Sequence, residues 1–180
     1  MDYEFGDIID CRNAPSISDG GHFVLILGVL KKGNTEKILY YSITSRVYAV
    51  FNKILDFFND CLSRKDARFL HFFNKEKNKA AINPHGRLFD AFFLDKKTNY
   101  NLCLDEDSMI VINKDPNIED ITTFEQLKKE GLIGNVSRLS NEDVFRLYTN
   151  IKTTGNISPR YLASIGNNFN LVKKRLVKTQ

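Results

Sequence analysis

The sequence predicts an α+β, β-rich fold: a small, strongly bent antiparallel barrel with an inserted helix and C-terminal helices. Three observations carry this. Short apolar runs, Phe23 to Leu30 and Lys37 to Ser45, are bounded by glycine and polar turn residues, as buried strands are. After residue 50 the apolar spacing changes from strand-like runs to steps of three and four. Beyond residue 116, helix-start signatures recur.

Taken in order, Gly6-Asp7 introduces a first strand over 7–12, and residues 13–21, dense in turn formers, make a loop. Strands over 22–30 and 37–45 follow, joined by the polar hairpin turn Lys31 to Glu36. Phe51, Ile54, Leu55, Phe58, Cys61 and Leu62 fall on one face of a helix over 52–62. Arg64 to Lys79 is basic and aromatic, and Asn83-Pro84-His85-Gly86 is a turn. Strand character returns at 88–94, 100–104 and 108–112. The remaining 116–180 reads as helical. Thr123-Phe124-Glu125-Gln126 has the capping-box pattern with Gly131 as a stop, Ser140-Asn141-Glu142-Asp143 opens a helix over 140–153, and Ser158-Pro159 opens a third. The chain of 180 residues is expected to be a single domain, with barrel strands in 1–50 and 88–115.

With 42% apolar and 27% charged residues, the composition is that of a globular chain, not a disordered one. No apolar run approaches the ~18 residues of a membrane span, and the acidic start Met1-Asp2-Tyr3-Glu4 lacks a signal pattern, so the expectation is a cytoplasmic protein. Cys11, Cys61 and Cys103 are odd in number and widely spaced, which argues against a disulfide framework or zinc site and for small buried side chains. A net charge of +4 is compatible with a polyanionic ligand without requiring one.

The chemistry-bearing residues concentrate at two strand ends. His22 enters the second strand, and Ile43-Thr44-Ser45-Arg46 leaves the third. If these strands are neighbours, an imidazole, two hydroxyls and a guanidinium converge at one sheet edge. Imidazole moves protons near neutral pH, hydroxyls donate to phosphate, and arginine clamps it in bidentate fashion. Each residue also has an ordinary role: a strand-edge histidine bonded to a carbonyl, turn-capping hydroxyls, and solvent-facing arginine. No carboxylate pair at catalytic spacing and no glycine-rich phosphate loop compete with this cluster, and neither a metal nor a cofactor is expected.

In order along the chain, Gly6-Asp7-Ile8-Ile9, Gly21-His22-Phe23-Val24-Leu25-Ile26-Leu27, Ile43-Thr44-Ser45, Asp107-Ser108-Met109-Ile110-Val111-Ile112 and Arg138-Leu139-Ser140-Asn141-Glu142-Asp143 form a series. That series resembles the MazF/PemK toxins, the SH3-like barrel endoribonucleases of bacterial toxin–antitoxin pairs. Thr44-Ser45-Arg46 is also similar to the corresponding strand end of ToxN-type nucleases. Two departures stand out: the family's Arg-Pro is absent, with Gly21-His22 at its place, and 51–87 reads as an insertion.

The resemblance implies a metal-independent endoribonuclease cutting single-stranded RNA and held inactive by an antitoxin, either an acidic protein or an RNA, with a homodimer open. The expected catalytic residues are His22, Thr44, Ser45 and Arg46, and the expected RNA-binding residues are Arg12, Lys31, His85 and Arg87. The alternative is a nuclease-dead SH3-like barrel that binds nucleic acid or protein; loss of the Arg-Pro favours it.

Overall fold

The computed structural model describes residues 3–14, 16–17, 23–45, 91–94, 104, 108–112, 114–154 and 157–178. The expected 52–62 helix, the basic and aromatic segment and the rest of the 51–87 insertion lie outside these residues, as does the 100–104 strand apart from Leu104. The described strands are β1 (Asp7–Asp10), β2 (Phe23–Lys32), β3 (Thr35–Thr44), β4 (Ala91–Leu94), β5 (Ser108–Val111), β6 (Asn117–Asp120) and β7 (Gly134–Arg138). The described helices are α1 (Ile121–Lys129), α2 (Asn141–Thr153) and α3 (Pro159–Lys178). All pairings are antiparallel, in the order β4-β5-β3-β2-β1-β7, and β6 joins β3 on the same edge as β5. The sheet curls into a half-barrel, so the α+β, β-rich, bent-barrel expectation holds.

Strand β2 is apolar on both faces because both are covered. Phe23, Leu25 and Leu27 join Leu39, Tyr41 and Ile43 under α2 and α3, where Val144, Leu147, Ile165 and Phe169 complete one core. Val24 and Ile26 join Ile38 and Tyr40 on the other face, closed by Phe124 of α1, Tyr3 and Cys11. Each such side chain removed from water is worth about 1.5–3 kcal/mol, which explains a continuous apolar run where a half-exposed strand would alternate. Cys11 is fully buried, as expected.

A bulge at Leu27-Gly28 interrupts the β2–β3 register, which steps from Ile26↔Tyr40 to Gly28↔Leu39. One extra residue reverses side-chain parity. Odd positions face α2 and α3 before the bulge, whereas Leu30 does so after it and Val29 joins the opposite core. Gly28 has φ +120°, a conformation that side-chain-bearing residues rarely adopt.

Several local expectations change. The turn expected over Lys31 to Glu36 shrinks to Gly33-Asn34, because β2 and β3 continue pairing out to Lys32↔Thr35. The helix expected to be capped by Thr123 begins earlier, at Ile121. Thr123 donates to Glu119 Oε1 (3.2 Å), and Asp120, at the cap position, pairs with Lys37 across the ladder (3.0 Å). Its end is as expected: Gly131 (φ +71°) donates its N–H to Lys128 and Leu132 to Leu127, closing the last turn. Ser140 Oγ accepts the Asp143 N–H (3.1 Å), and Pro159 takes the first position of α3.

The stretch 116–180 is not wholly helical, since β6 and β7 fall within it. Both are short strands with little apolar alternation. Their place comes from pairing with β3 and β1, which local pattern does not encode.

Candidate functional site

The register carries one row across the sheet: Asp10↔Phe23↔Ile43↔Ile110↔Phe92. The end of β3, with Thr44 paired to Met109, therefore sits at the same end of the sheet as the start of β2. This is the neighbourhood that the sequence motifs required. Thr44 is half-buried and Ser45 is exposed one residue past the strand. His22, Arg46, His85 and Arg87 lie outside the described residues.

Arg12 belongs to this end too, its exposed side chain paired with Asp10. Its backbone N–H donates to Asp10 Oδ1 (2.9 Å), Nε to Oδ2 (2.9 Å) and Nη2 to Oδ2 (2.6 Å). The guanidinium lies over the Phe23 ring, 5.5 Å from its centroid. Such a bidentate pair on an aromatic platform holds the planar group in one orientation and partly neutralises it. Arg12 and Phe23 lie on the α2/α3 side of the sheet, whereas alternation along β3 gives Thr44 the parity of Ser42 and Tyr40, the opposite side. The structure thus brings Arg12 and Thr44 to one edge without placing them on one face.

Lys31 is elsewhere. It stands eight positions along β2 from Phe23, about 26 Å at strand rise, and its Nζ pairs with Glu36 (2.8 Å). It lines a groove of about 740 Å³ between the β2 edge, residues 3–5 and α3. The groove exists because β1 stops flanking β2. At Gly6 (φ +96°) the chain gives its N–H to the Ile26 carbonyl and its carbonyl to the Leu139 N–H, then leaves the β2 edge.

Asn168 of α3 fills the next place on that edge. Its Oδ1 accepts the Val29 N–H and its Nδ2 donates to the Val29 carbonyl, both at 3.1 Å, and Nδ2 also donates to the Ser164 carbonyl (2.8 Å). Sequence reading missed Asn168. The available signal was Gly28, since a glycine inside an apolar strand marks a bulge or a close approach. Only its missing Cβ admits the Asn168 side chain.

Glu4 and Arg175, which line the groove, belong to an ion-pair cluster. Arg138 Nη2 lies 2.7 Å from Glu4 Oε2 and its Nε 3.6 Å from Asp7 Oδ1, and Arg175 also pairs with Glu4. Asp7 is buried and accepts the Glu4 N–H (2.8 Å). Burial pushes the Asp7 carboxyl up despite that bond and the Arg138 charge. Burial also acts to raise Glu4, but hydrogen bonds from Arg175 and Arg138, with their charges, outweigh it and hold Glu4 below the ordinary glutamate value.

Among the described residues no group of three or more His, Cys, Asp or Glu side chains is placed to hold a metal ion. Among the same residues no helix is long and apolar enough to cross a membrane. In comparison with known proteins, no family model, no curated protein and no solved structure matches the chain.

Proposed function

We propose that this chain is a metal-independent endoribonuclease of toxin type, acting on single-stranded RNA in the cytoplasm and restrained by an acidic-protein or RNA antitoxin. The observation that supports this reading is the Phe23↔Ile43 register in a curled antiparallel sheet, which puts the Thr44-Ser45 end of β3 beside the start of β2. In the proposed reaction the ribose 2′-oxygen attacks phosphorus while its proton passes to His22 acting as base. The P–O5′ bond breaks, and the leaving oxygen takes up a proton. The products are a 2′,3′-cyclic phosphate and a free 5′-hydroxyl. Thr44, Ser45 and Arg46 would stabilise the charge that builds on the phosphate oxygens.

The binding-module reading has its own observation: Arg12 pairs with Asp10 over the Phe23 ring and lies across the sheet from Thr44. One experiment separates the two. Full-length protein freed of any partner is incubated with varied single-stranded RNAs in chelator. Cleavage leaving cyclic phosphate ends, slowed about 10²–10⁴-fold in His22→Ala and reduced in Thr44→Val and Arg46→Ala, supports the nuclease. Tight RNA binding without cleavage supports the module. Unchanged cleavage in His22→Ala removes the imidazole from the mechanism.

A further inference from the structure

The groove beside β2 has features that neither the nuclease nor the module reading uses. Val29 turns both backbone polar groups away from β3, toward Asn168, so Val29↔Ile38 is a pair without mutual hydrogen bonds. Antiparallel ladders alternate, which makes Lys31↔Glu36 another such pair. The Lys31 N–H and C=O are therefore directed outward along the same edge. Asn168 occupies the Val29 place, and among the described residues no strand occupies the Lys31 place.

Lys31, Arg160 and Arg175, apolar groups and the two carboxylates Glu4 and Glu36 line the groove around that open place, a net positive set. Arg160 lines the groove, resting on the Tyr161 ring at 5.4 Å, and no carboxylate among the described residues pairs with it. The Lys31–Glu36 pair is exposed, hence weak and exchangeable. Leu171, 57% exposed, offers an apolar surface further along α3, and Arg175, paired with Glu4, closes the far end. From Arg160 to Arg175 the helix runs about 22 Å, the length of an extended segment of about six residues.

We infer that this groove docks an extended acidic segment of a partner protein. The segment's backbone pairs with Lys31 in the place β1 vacates, and its carboxylates meet Arg160 and, in exchange for Glu36, Lys31. Backbone pairing supplies affinity and the cations supply the choice of an acidic partner. The site is a sheet-length from Thr44, so an occupant here leaves the candidate RNA-cleaving end uncovered. The inference does not depend on the nuclease reading.

The probe is a blocked peptide of about six residues alternating glutamate and valine, added to the full chain at low salt. Binding is read by NMR, together with exchange of the Lys31 amide. The expected result is saturable binding, exchange of the Lys31 amide slowed about tenfold or more, and affinity reduced at least about fivefold in Arg160→Glu. A lysine-for-glutamate peptide should not bind, and a peptide N-methylated on its edge-facing residues should bind more weakly. Absence of binding up to about 1 mM overturns the proposal. So does binding that leaves Lys31 exchange unchanged, or binding indifferent to Arg160→Glu.

Discussion

Replacing Gly28 with alanine should cost this fold about 2–6 kcal/mol, and the structure shows where that figure comes from. A Cβ on Gly28 would lie 2.1 Å from Asn168 Cγ, 2.4 Å from its Cβ and 2.5 Å from Oδ1. The Asn168 side chain must leave, forfeiting two hydrogen bonds to Val29 worth a net ~0.5–1.5 kcal/mol each. The backbone at φ +120° adds strain of about 1–3 kcal/mol for a residue with a side chain. In a chain of this length each kcal/mol moves Tm by roughly 2–4 °C, so a loss of roughly 4–24 °C is expected. Urea unfolding of Gly28→Ala, Asn168→Ala and the double variant separates the terms. Asn168→Ala alone should cost about 1–3 kcal/mol. With the asparagine amide already removed, Gly28→Ala retains its backbone strain and the 2.4 Å approach to the Cβ of residue 168 but no longer forfeits the Val29 hydrogen bonds, so the double variant should be more stable than the sum of the singles predicts. A Gly28→Ala protein within about 0.5 kcal/mol of the parent would refute the close approach, and strict additivity would refute the Asn168 coupling.

Other outcomes follow from the buried polar groups. The Tyr3 hydroxyl is buried with no hydrogen-bond partner among the described residues, so Tyr3→Phe should be neutral or stabilising by up to about 1 kcal/mol; Tyr40→Phe, which deletes a buried bond to the Ile17 carbonyl, should cost about 1 kcal/mol or more in the same thermal melts. Glu4, held below its ordinary value, contributes stability that is lost as pH falls from that value through its folded one. Asp7, held above its ordinary value, contributes in the opposite sense, with stability lost as pH rises through its folded value. Acid titration of stability should therefore be shallower in Glu4→Gln and steeper in Asp7→Asn, and parallel curves would contradict the assignment. Burial pushes the Cys11 thiol up to about 12, so it should resist a thiol reagent at neutral pH until the chain unfolds.

The elements legible in the sequence are those whose own residues carry the cause. Strands β2 and β3 announce themselves because both their faces are buried, and Gly131, Ser140 and Pro159 mark helix ends through their own backbone or side-chain chemistry. Strands β6 and β7 carry no such signal. Asn117-Ile118-Glu119-Asp120 has one apolar side chain, and Gly134 to Arg138 is mostly small and polar, so only the partner strands β3 and β1 turn them into sheet. The same logic explains Thr123. A capping box is a local preference worth about 1 kcal/mol, and the β3–β6 ladder, with its Lys37–Asp120 ion pair, sets the cap of α1 three residues earlier.

For the candidate site, sequence alone placed the right strands side by side, because runs of matching length joined by a polar turn pair antiparallel and bring opposite termini together. It could not assign faces. Arg12 and Thr44 reach one edge of the sheet, yet the bidentate bond to Asp10 carries Arg12 onto the Phe23 side, while strand parity gives Thr44 the other. Lys31 was grouped with the RNA-binding cations by charge, and the bulged, extended hairpin carries it to the far end of β2. There its backbone is the more informative group. A lysine side chain on an exposed turn is commonplace, whereas an N–H and a carbonyl left facing outward where a neighbouring strand stops define a place into which another strand fits.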